Sequence, residues 1–180
     1  GYQALKNNTT GCYNNAIGRW ALQCNTTGCC NVALGYNAMR SNTTGCSNNA
    51  IGDGALYANT TGCYNNAMGY SLPNNTTGSH NTALGYKAGI LLSTALNNTI
   101  VGSNAGIAAI TGNNNTMLGA TSGTALLAGA DNVFLGFGAG DGTAAVAQSV
   151  VIGSGAGSAV MTTDANGTIA IGYQAGAALT

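Results

Sequence analysis

Residues 35–51 read G-Y-N-A-M-R-S-N-T-T-G-C-S-N-N-A-I, and close copies of this unit occupy most of the 180-residue chain. A glycine begins each copy, and seventeen residues normally separate one such glycine from the next. Only the steps from Gly69 to Gly85 and from Gly153 to Gly172 differ, with sixteen and nineteen residues. A fixed short period indicates stacked copies of one structural unit, and not a globular domain built around a catalytic centre.

The end of each unit shows β-strand alternation, as in Asn81-Thr82-Ala83-Leu84. The residue before the repeat glycine is always apolar, and we expect its strand face to form the interior of a coil. This column contains Ile17, Leu34, Ile51, Met68, Leu84, Val101, Leu118, Leu135, Ile152 and Ile171. A second short strand should close the interior with an alanine column, Ala4, Ala21, Ala38, Ala55, Ala88 and Ala105. The Asn-Thr-Thr-Gly and Asn-Asn segments would supply the turns, because Gly and Asn tolerate positive φ.

Seventeen residues suit two short parallel strands and two turns. The sequence therefore predicts an all-β fold, a parallel β-solenoid or β-roll of about ten 17-residue coils. We predict a single repeat domain over residues 1–180, with Asn-Thr-Thr-Gly and cysteine-rich coils in 1–85 and Ala/Gly-rich coils in 86–180. Because residues 1–4 match residues 172–175, the repeat is in progress at both ends, and we expect a fragment of a longer chain.

Charged side chains make up only 4% of the residues, and the net charge is zero. Stacking explains this scarcity, because a charged column would place like charges about 5 Å apart. Asparagine columns can instead form amide hydrogen bonds along the stack. One such column contains Asn14, Asn31, Asn48, Asn65, Asn81, Asn98, Asn115 and Asn132. The scattered basic residues argue against a nucleic-acid partner, and the sequence lacks an apolar run of about 18 residues for membrane insertion.

The segments Asn-Thr-Ala-Leu-Gly-Tyr-Lys-Ala (81–88) and Thr-Ile-Ala-Ile-Gly-Tyr-Gln-Ala (168–175) resemble the YadA-like head repeats of trimeric autotransporter adhesins. The longer unit with its Asn-Thr-Thr-Gly turn is still more similar to repeat arrays of phage tail fibres. The resemblance covers essentially the whole chain. It implies a left-handed parallel β-roll, three of which associate side by side as a homotrimer in a fibre outside a cell or virion. The cysteines and the seventeen-residue period depart from the usual adhesin head repeat.

Four cysteines share one column at seventeen-residue spacing, Cys12, Cys29, Cys46 and Cys63. Neighbouring Cα atoms would lie about 4.8 Å apart, inside the range of about 4.4–6.8 Å for disulfides. A ladder of inter-coil disulfides is therefore feasible in an extracellular setting, and a ladder of free thiols is equally compatible with the spacing. Two further cysteines occupy other columns and could pair with these or between subunits, Cys24 and Cys30.

The asparagines of the Asn-Thr-Thr-Gly segments allow three interpretations. They are Asn8, Asn25, Asn42, Asn59 and Asn75. As turn residues they need no further role, and as Asn-x-Thr sequons they could carry glycans in a eukaryotic secretory host. The paired threonine rows that follow them could also form an ice-binding face, although adjacent residues of a strand point to opposite sides.

Aromatic residues recur just after the repeat glycine. The column contains Tyr2, Tyr36, Tyr70, Tyr86, Phe137 and Tyr173, with Trp20 one place further on. Exposed rings can stack on sugars, as a receptor-binding rod would require. They could also pack between subunits or against a neighbouring turn, and we favour packing.

Catalytic groups do not converge in this sequence. His80 has no nearby carboxylate, and it is the single histidine, without the paired Cys-x-x-Cys motifs of a zinc site. We predict that the chain is not an enzyme and binds no cofactor. We expect a structural and recognition rod of an extracellular phage tail fibre or bacterial surface adhesin that attaches to a cell-surface glycan or protein receptor. The alternatives are an ice-binding solenoid and a filament of chains stacked end to end.

Overall fold

The computed structural model describes residues 1–108, 110–159, 161 and 163–177, so the last three residues of the predicted domain lie outside it. Each repeat contributes one three-residue strand to a β-solenoid. The strands are β1 (Asn15–Ile17), β2 (Val32–Leu34), β3 (Asn49–Ile51), β4 (Asn66–Met68), β5 (Thr82–Leu84), β6 (Thr99–Val101), β7 (Thr116–Leu118), β8 (Val133–Leu135), β9 (Val150–Ile152) and β10 (Ile169–Ile171). A 3₁₀ turn spans Thr163–Ala165, and no helix among the described residues could cross a membrane.

Consecutive strands pair in parallel and in register, and they form one ten-stranded sheet in the order β1 to β10. Ala33 of β2, for example, lies between Ala16 of β1 and Ala50 of β3. The predicted all-β parallel solenoid with its spacing of about seventeen residues is therefore confirmed. The left-handed sense of the coil and its assembly into trimers remain predictions from the resemblance.

The repeat glycine lies directly after each strand, in a backbone conformation that L-residues rarely adopt. From Gly18 to Gly172 its φ ranges from +87° to +141°. At Gly136 a Cβ would also lie 2.7 Å from the carbonyl carbon and oxygen of Gly153 in the next coil. Stacking therefore requires glycine at this position in every coil, because the positive φ and the close approach of the next coil both exclude a side chain.

The predicted second strand does not occur in the coils that the structure describes. The alanines assigned to it lie in turns, and the Ala21 N–H bonds the Gly18 carbonyl oxygen at 3.4 Å. The next residue takes the left-handed conformation, with φ of 50° at Leu22 and 49° at Met39. Such a reversal of φ bends the chain too sharply for a strand, so the second strand was wrongly predicted.

The predicted interior face of the strands was also wrong. Ile17, Ile51 and Met68, expected inside, are 67%, 37% and 50% exposed. The central strand residue is buried instead, completely so at Ala33 and Ala50. Because successive strand residues point to opposite faces, burying the centre turns both outer residues towards solvent.

The interior is filled in two opposite ways along the rod. In the first four coils the strand centres are Ala16, Ala33, Ala50 and Ala67, and a large side chain from the following turn occupies the core, as Leu22, Met39, Leu56 and Leu72 do. From β6 to β9 the strand centres are large, Ile100, Met117, Phe134 and Val151, and the turn position becomes Gly106, Gly123, Gly140 and Gly157. The coils of β5 and β10 combine an alanine centre, Ala83 or Ala170, with glycine in the turn, Gly89 or Gly176. A Cβ on Gly140 would lie 2.8 Å from the Phe134 ring. This reversal is the physical basis of the change of composition near residue 85.

The predicted asparagine ladder is present and connects the coils inside the rod. The Asn48 side-chain N–H group donates to Asn31 Oδ1 at 3.1 Å and to the Gly62 carbonyl oxygen at 2.8 Å. Its Oδ1 accepts the Asn65 backbone N–H at 2.9 Å. Asn48 is completely buried, so these bonds replace those that the amide would make with water.

Candidate functional site

An unbroken aliphatic column runs along the outside of the sheet. It is formed by the last residue of every strand, the column that the sequence analysis placed inside. Six of its ten members are at least 37% exposed, Ile17, Ile51, Met68, Leu118, Leu135 and Ile171. The in-register pairing holds each of these side chains beside its neighbours in the adjacent coils. Contiguous exposed apolar surface is typical of interaction sites in soluble proteins, so we treat this column as a candidate site.

The first residue of each strand forms a second outward column beside the aliphatic one. From β1 to β7 it is polar except at Val32, and the Asn49 side-chain N–H donates to Asn66 Oδ1 at 2.8 Å. Towards the other end it becomes apolar, with Val133, Val150 and the 73% exposed Ile169. Neither column contains a charged residue. We call these two columns together the outer sheet face.

The cysteine column contributes hydrogen-bond acceptors along a different edge of the rod. The Cys29 backbone N–H donates to Cys46 Sγ at 3.2 Å, and the Cys46 N–H donates to Cys63 Sγ at 3.1 Å. The Cys63 N–H donates to Ser79 Oγ at 3.0 Å, so a hydroxyl continues the same pattern. The structure therefore assigns these sulfurs a structural role that the sequence analysis did not foresee.

All six cysteines are free thiols in the structure, and disulfide pairing stays a prediction. The sulfurs of Cys12 and Cys29 are in contact, with their Sγ atoms 3.0 Å apart. The Cys12 thiol donates a hydrogen bond to Cys29, which lowers the pKa of Cys29 and raises that of Cys12. Cys24 is half-buried, and Cys30 is exposed in a left-handed turn conformation with φ of 60°.

The aromatic side chains fall into separate groups on the surface. Trp20 contacts Tyr36 with ring centroids 5.4 Å apart, and Tyr2 of the preceding coil is 64% exposed. Tyr70 and Tyr86 form a second pair with centroids 6.4 Å apart. The rings thus pack on one another within the chain and still expose much of their surface.

Two arginines that the sequence analysis passed over complete the first aromatic group. The Arg19 guanidinium carbon lies 3.9 Å from the Trp20 ring centroid, and that of Arg40 lies 4.8 Å from it. The sequence signal was available, because Arg19 precedes Trp20 directly and Arg40 follows Trp20 by one coil and three residues. We call Tyr2, Arg19, Trp20, Tyr36 and Arg40 the arginine–aromatic cluster.

The asparagines considered as sequons are not available for glycans in the folded chain. Asn25, Asn42, Asn59 and Asn75 are completely buried. The Asn42 amide N–H group donates to Asn25 Oδ1 at 2.7 Å and to the Gly45 carbonyl oxygen at 3.0 Å. They form a second ladder inside the rod, so the glycan interpretation was wrong for these four residues.

The threonine rows differ from each other in what their hydroxyl groups do. Thr26 Oγ1 donates to the Thr43 carbonyl oxygen at 3.0 Å, and Thr43 repeats the contact with the next coil at 3.1 Å. The second row, with Thr27 and Thr44, is exposed. The row with Thr27 and Thr44 is thus the one that faces water without a hydrogen bond from its hydroxyl groups to the carbonyl oxygens of the next coil.

His80 stacks on Tyr64, with ring centroids 4.9 Å apart and an interplanar angle of 14°. Within the described ranges no three His, Cys, Asp or Glu side chains converge as metal ligands would. The part of the chain that the structure describes also has no pocket. The candidate sites are therefore two open surfaces, the outer sheet face and the arginine–aromatic cluster.

Comparison with protein-family models, with curated proteins and with solved structures finds no match for this chain.

Proposed function

We propose that this chain is a structural and recognition rod of an extracellular fibre, such as a phage tail fibre or a bacterial surface adhesin. Its subunits associate side by side through the outer sheet face. The observation that carries the proposal is the aliphatic column that continues from β1 to β10 without a charged residue. Burying such a surface between subunits is favourable in proportion to the apolar area removed from water.

The resemblance to trimeric fibre repeats favours three chains over two. Ten strands at about 4.8 Å spacing make the outer sheet face about 43 Å long and, with two outward columns, about 10 Å wide, or about 430 Å². Two such faces together bury about 860 Å², which is less than the 1,200–2,000 Å² of a stable interface between two partners. Stable association therefore requires contacts beside the outer sheet face as well.

The interior supports the function of a stiff rod. Each coil is joined to the next by backbone bonds such as that from the Leu22 N–H to the Ala38 carbonyl oxygen, 3.1 Å. Two asparagine ladders add side-chain bonds between the same coils, as Asn42 and Asn48 do. A rod held together along its length can present a receptor-binding surface at a distance from the particle or cell that carries it.

The test is the oligomeric state of variants on and off the outer sheet face. We expect the wild-type chain to sediment as a trimer in analytical ultracentrifugation, and the double variant Ile51→Lys/Leu118→Lys to sediment as a monomer. Leu91→Lys is the matched control, because Leu91 is 49% exposed but lies in a turn outside the sheet. Far-UV circular dichroism should be unchanged in all variants.

A wild-type chain that stays monomeric over the whole concentration range would refute the association. Growth beyond three chains with increasing concentration would favour the end-to-end filament instead. Ice binding finds less support, because the hydroxyls of one threonine row donate to carbonyl oxygens of the next coil. Thermal hysteresis in the wild-type chain would reverse that judgement.

A further inference from the structure

We propose that the arginine–aromatic cluster binds an acidic polysaccharide through the carboxylate or sulfate groups of its sugars. The inference deepens the proposed attachment function, on which it rests, by naming the chemistry of the receptor. It is carried by the contacts, charges and exposure of residues in the first three coils.

Trp20 holds two cationic groups close together. The guanidinium carbons of Arg19 and Arg40 lie 3.9 and 4.8 Å from its ring centroid, and Arg19 is also 5.5 Å from the Tyr2 ring centroid. Contacts between guanidinium groups and aromatic faces are attractive and restrict the side chains involved. Both charges are therefore positioned before any ligand arrives.

A chain of amide groups orients the same side chains. The Trp20 indole N–H donates to Gln3 Oε1 at 3.1 Å, and the Gln23 side-chain N–H donates to the same oxygen at 2.6 Å. The Arg40 Nε–H donates to Gln23 Oε1 at 2.9 Å. This bond uses the inner nitrogen of the guanidinium group and leaves its two terminal nitrogens for an incoming anion.

The positive charge of the cluster is not neutralised by a carboxylate. Within the described part of the chain, the guanidinium groups of Arg19 and Arg40 contact aromatic rings and the side-chain amide of Gln23. The exposed Lys6 lies two coils before Arg40 in the same column, and Asp53, the first acidic residue, appears in the fourth coil. Two fixed guanidinium groups without a counter-charge repel each other, and a bound carboxylate or sulfate removes the repulsion through charge-assisted hydrogen bonds.

The exposed rings beside the arginines suit a sugar chain. Tyr2 and Tyr36 are 64% and 45% exposed and flank the cationic pair. Aromatic rings on an open surface offer an apolar body and a hydroxyl to a sugar. A nucleic acid would require a longer run of positive charge, whereas this chain has four basic residues and no net charge. The observations therefore favour an acidic polysaccharide.

The experiment measures binding of the full chain to immobilised polygalacturonate, dextran sulfate and neutral dextran. We expect binding to one or both acidic polymers and none to neutral dextran. The double variant Arg19→Gln/Arg40→Gln should weaken binding by at least about tenfold, because two charge-assisted contacts are lost. Lys87→Gln is the matched control, since Lys87 lies 5.2 Å from the Tyr86 ring centroid and forms a cation–aromatic pair without a second cation.

The arms of the test separate the sources of the anion. Binding to polygalacturonate alone assigns a carboxylate, binding to dextran sulfate alone assigns a sulfate, and binding to both assigns their shared chemistry. Equal binding to neutral dextran, an equal loss in Lys87→Gln, unchanged binding of the folded double variant or stronger binding to single-stranded DNA overturns the proposal. Sedimentation tests fibre assembly separately. If the chain is monomeric but still needs both arginines to bind the polysaccharide, the binding site is supported and the fibre is refuted.

Discussion

Exchanging the sizes of two contacting core residues tests whether the two halves of the rod fill their interior in opposite ways. Phe134 is completely buried at the centre of β8, and a Cβ on Gly140 would lie 2.8–2.9 Å from its ring carbons. Ala50 and Leu56 occupy the same two positions five coils earlier. The double variant Phe134→Ala/Gly140→Leu therefore converts a C-terminal coil to the N-terminal pattern.

The magnitudes follow from the contacts. Phe134→Ala alone removes a buried ring and should lower the free energy of unfolding by about 3–5 kcal/mol. Gly140→Leu alone inserts a side chain into the space that the ring already fills, and this overpacking should lower the free energy of unfolding by about 1–3 kcal/mol. It also places a leucine at a φ of +66°, which adds about 1–2 kcal/mol. Independent effects would total about 5–10 kcal/mol. We expect the double variant to lose only about 1–3 kcal/mol, because leucine fills the space of the ring and the backbone cost remains.

The assay is urea denaturation followed by far-UV circular dichroism for the wild type, both single variants and the double variant. The expected result is a coupling energy of about 4 kcal/mol or more between the two sites. Phe134→Ala combined with Leu56→Ala is the control, because these sites lie several coils apart and should be additive within about 0.5 kcal/mol. Additive losses at positions 134 and 140 would refute the compensation.

Further expectations concern the ladders and the thiols. Asn48→Leu should lower the free energy of unfolding by about 3–6 kcal/mol in the same urea assay, because its partners stay buried without bonds, whereas Asn49→Leu on the exposed side should change it by less than about 0.5 kcal/mol. Cys46→Ser should keep the Tm measured by differential scanning calorimetry, since serine continues this column in a later coil, and Cys46→Ala should lower the Tm by about 2–4 °C as the Cys29 N–H loses its acceptor. Cys12→Ala removes the thiol that lowers the pKa of Cys29, so alkylation of Cys29 by iodoacetamide, followed by mass spectrometry, should shift to higher pH. An unchanged alkylation profile would show that this hydrogen bond has no effect on Cys29.

The strand faces were assigned wrongly because the prediction used hydrophobicity alone and took no account of the volume available in the core. The larger aliphatic residue before each glycine was placed inside, but the turn side chain already fills the interior of the early coils. The strand centre there is alanine, as at Ala50, which is completely buried in the same core as Leu56. The signal that could have corrected the prediction is the inverse relation between the two positions in the coils of β1–β4 and β6–β9, where large strand centres such as Phe134 accompany glycine in the turn.

The contacts within the surface sites also could not be predicted from the sequence repeat alone. The repeat identified Trp20 and Tyr36 as candidate contacts, but it did not indicate that they meet across neighbouring coils. Nor did residue spacing alone show that Arg19 and Arg40 lie against one indole ring. Lateral contacts between columns depend on how sharply the turns bend, and left-handed φ values at residues as large as Trp20, 62°, set that bend.

By itself, the sequence determined the stacking of the chain, because one short period allows only neighbouring copies to pair. It also determined which residues share a column, and hence the asparagine ladder and the scarcity of charge. The tertiary structure decided which side of each strand faces the core, because that depends on the volume already occupied by turn residues. It likewise decided that the cysteine sulfurs accept backbone hydrogen bonds and that two arginines meet on Trp20. Those outcomes depend on the path of the turns, which a repeat of residue types does not specify.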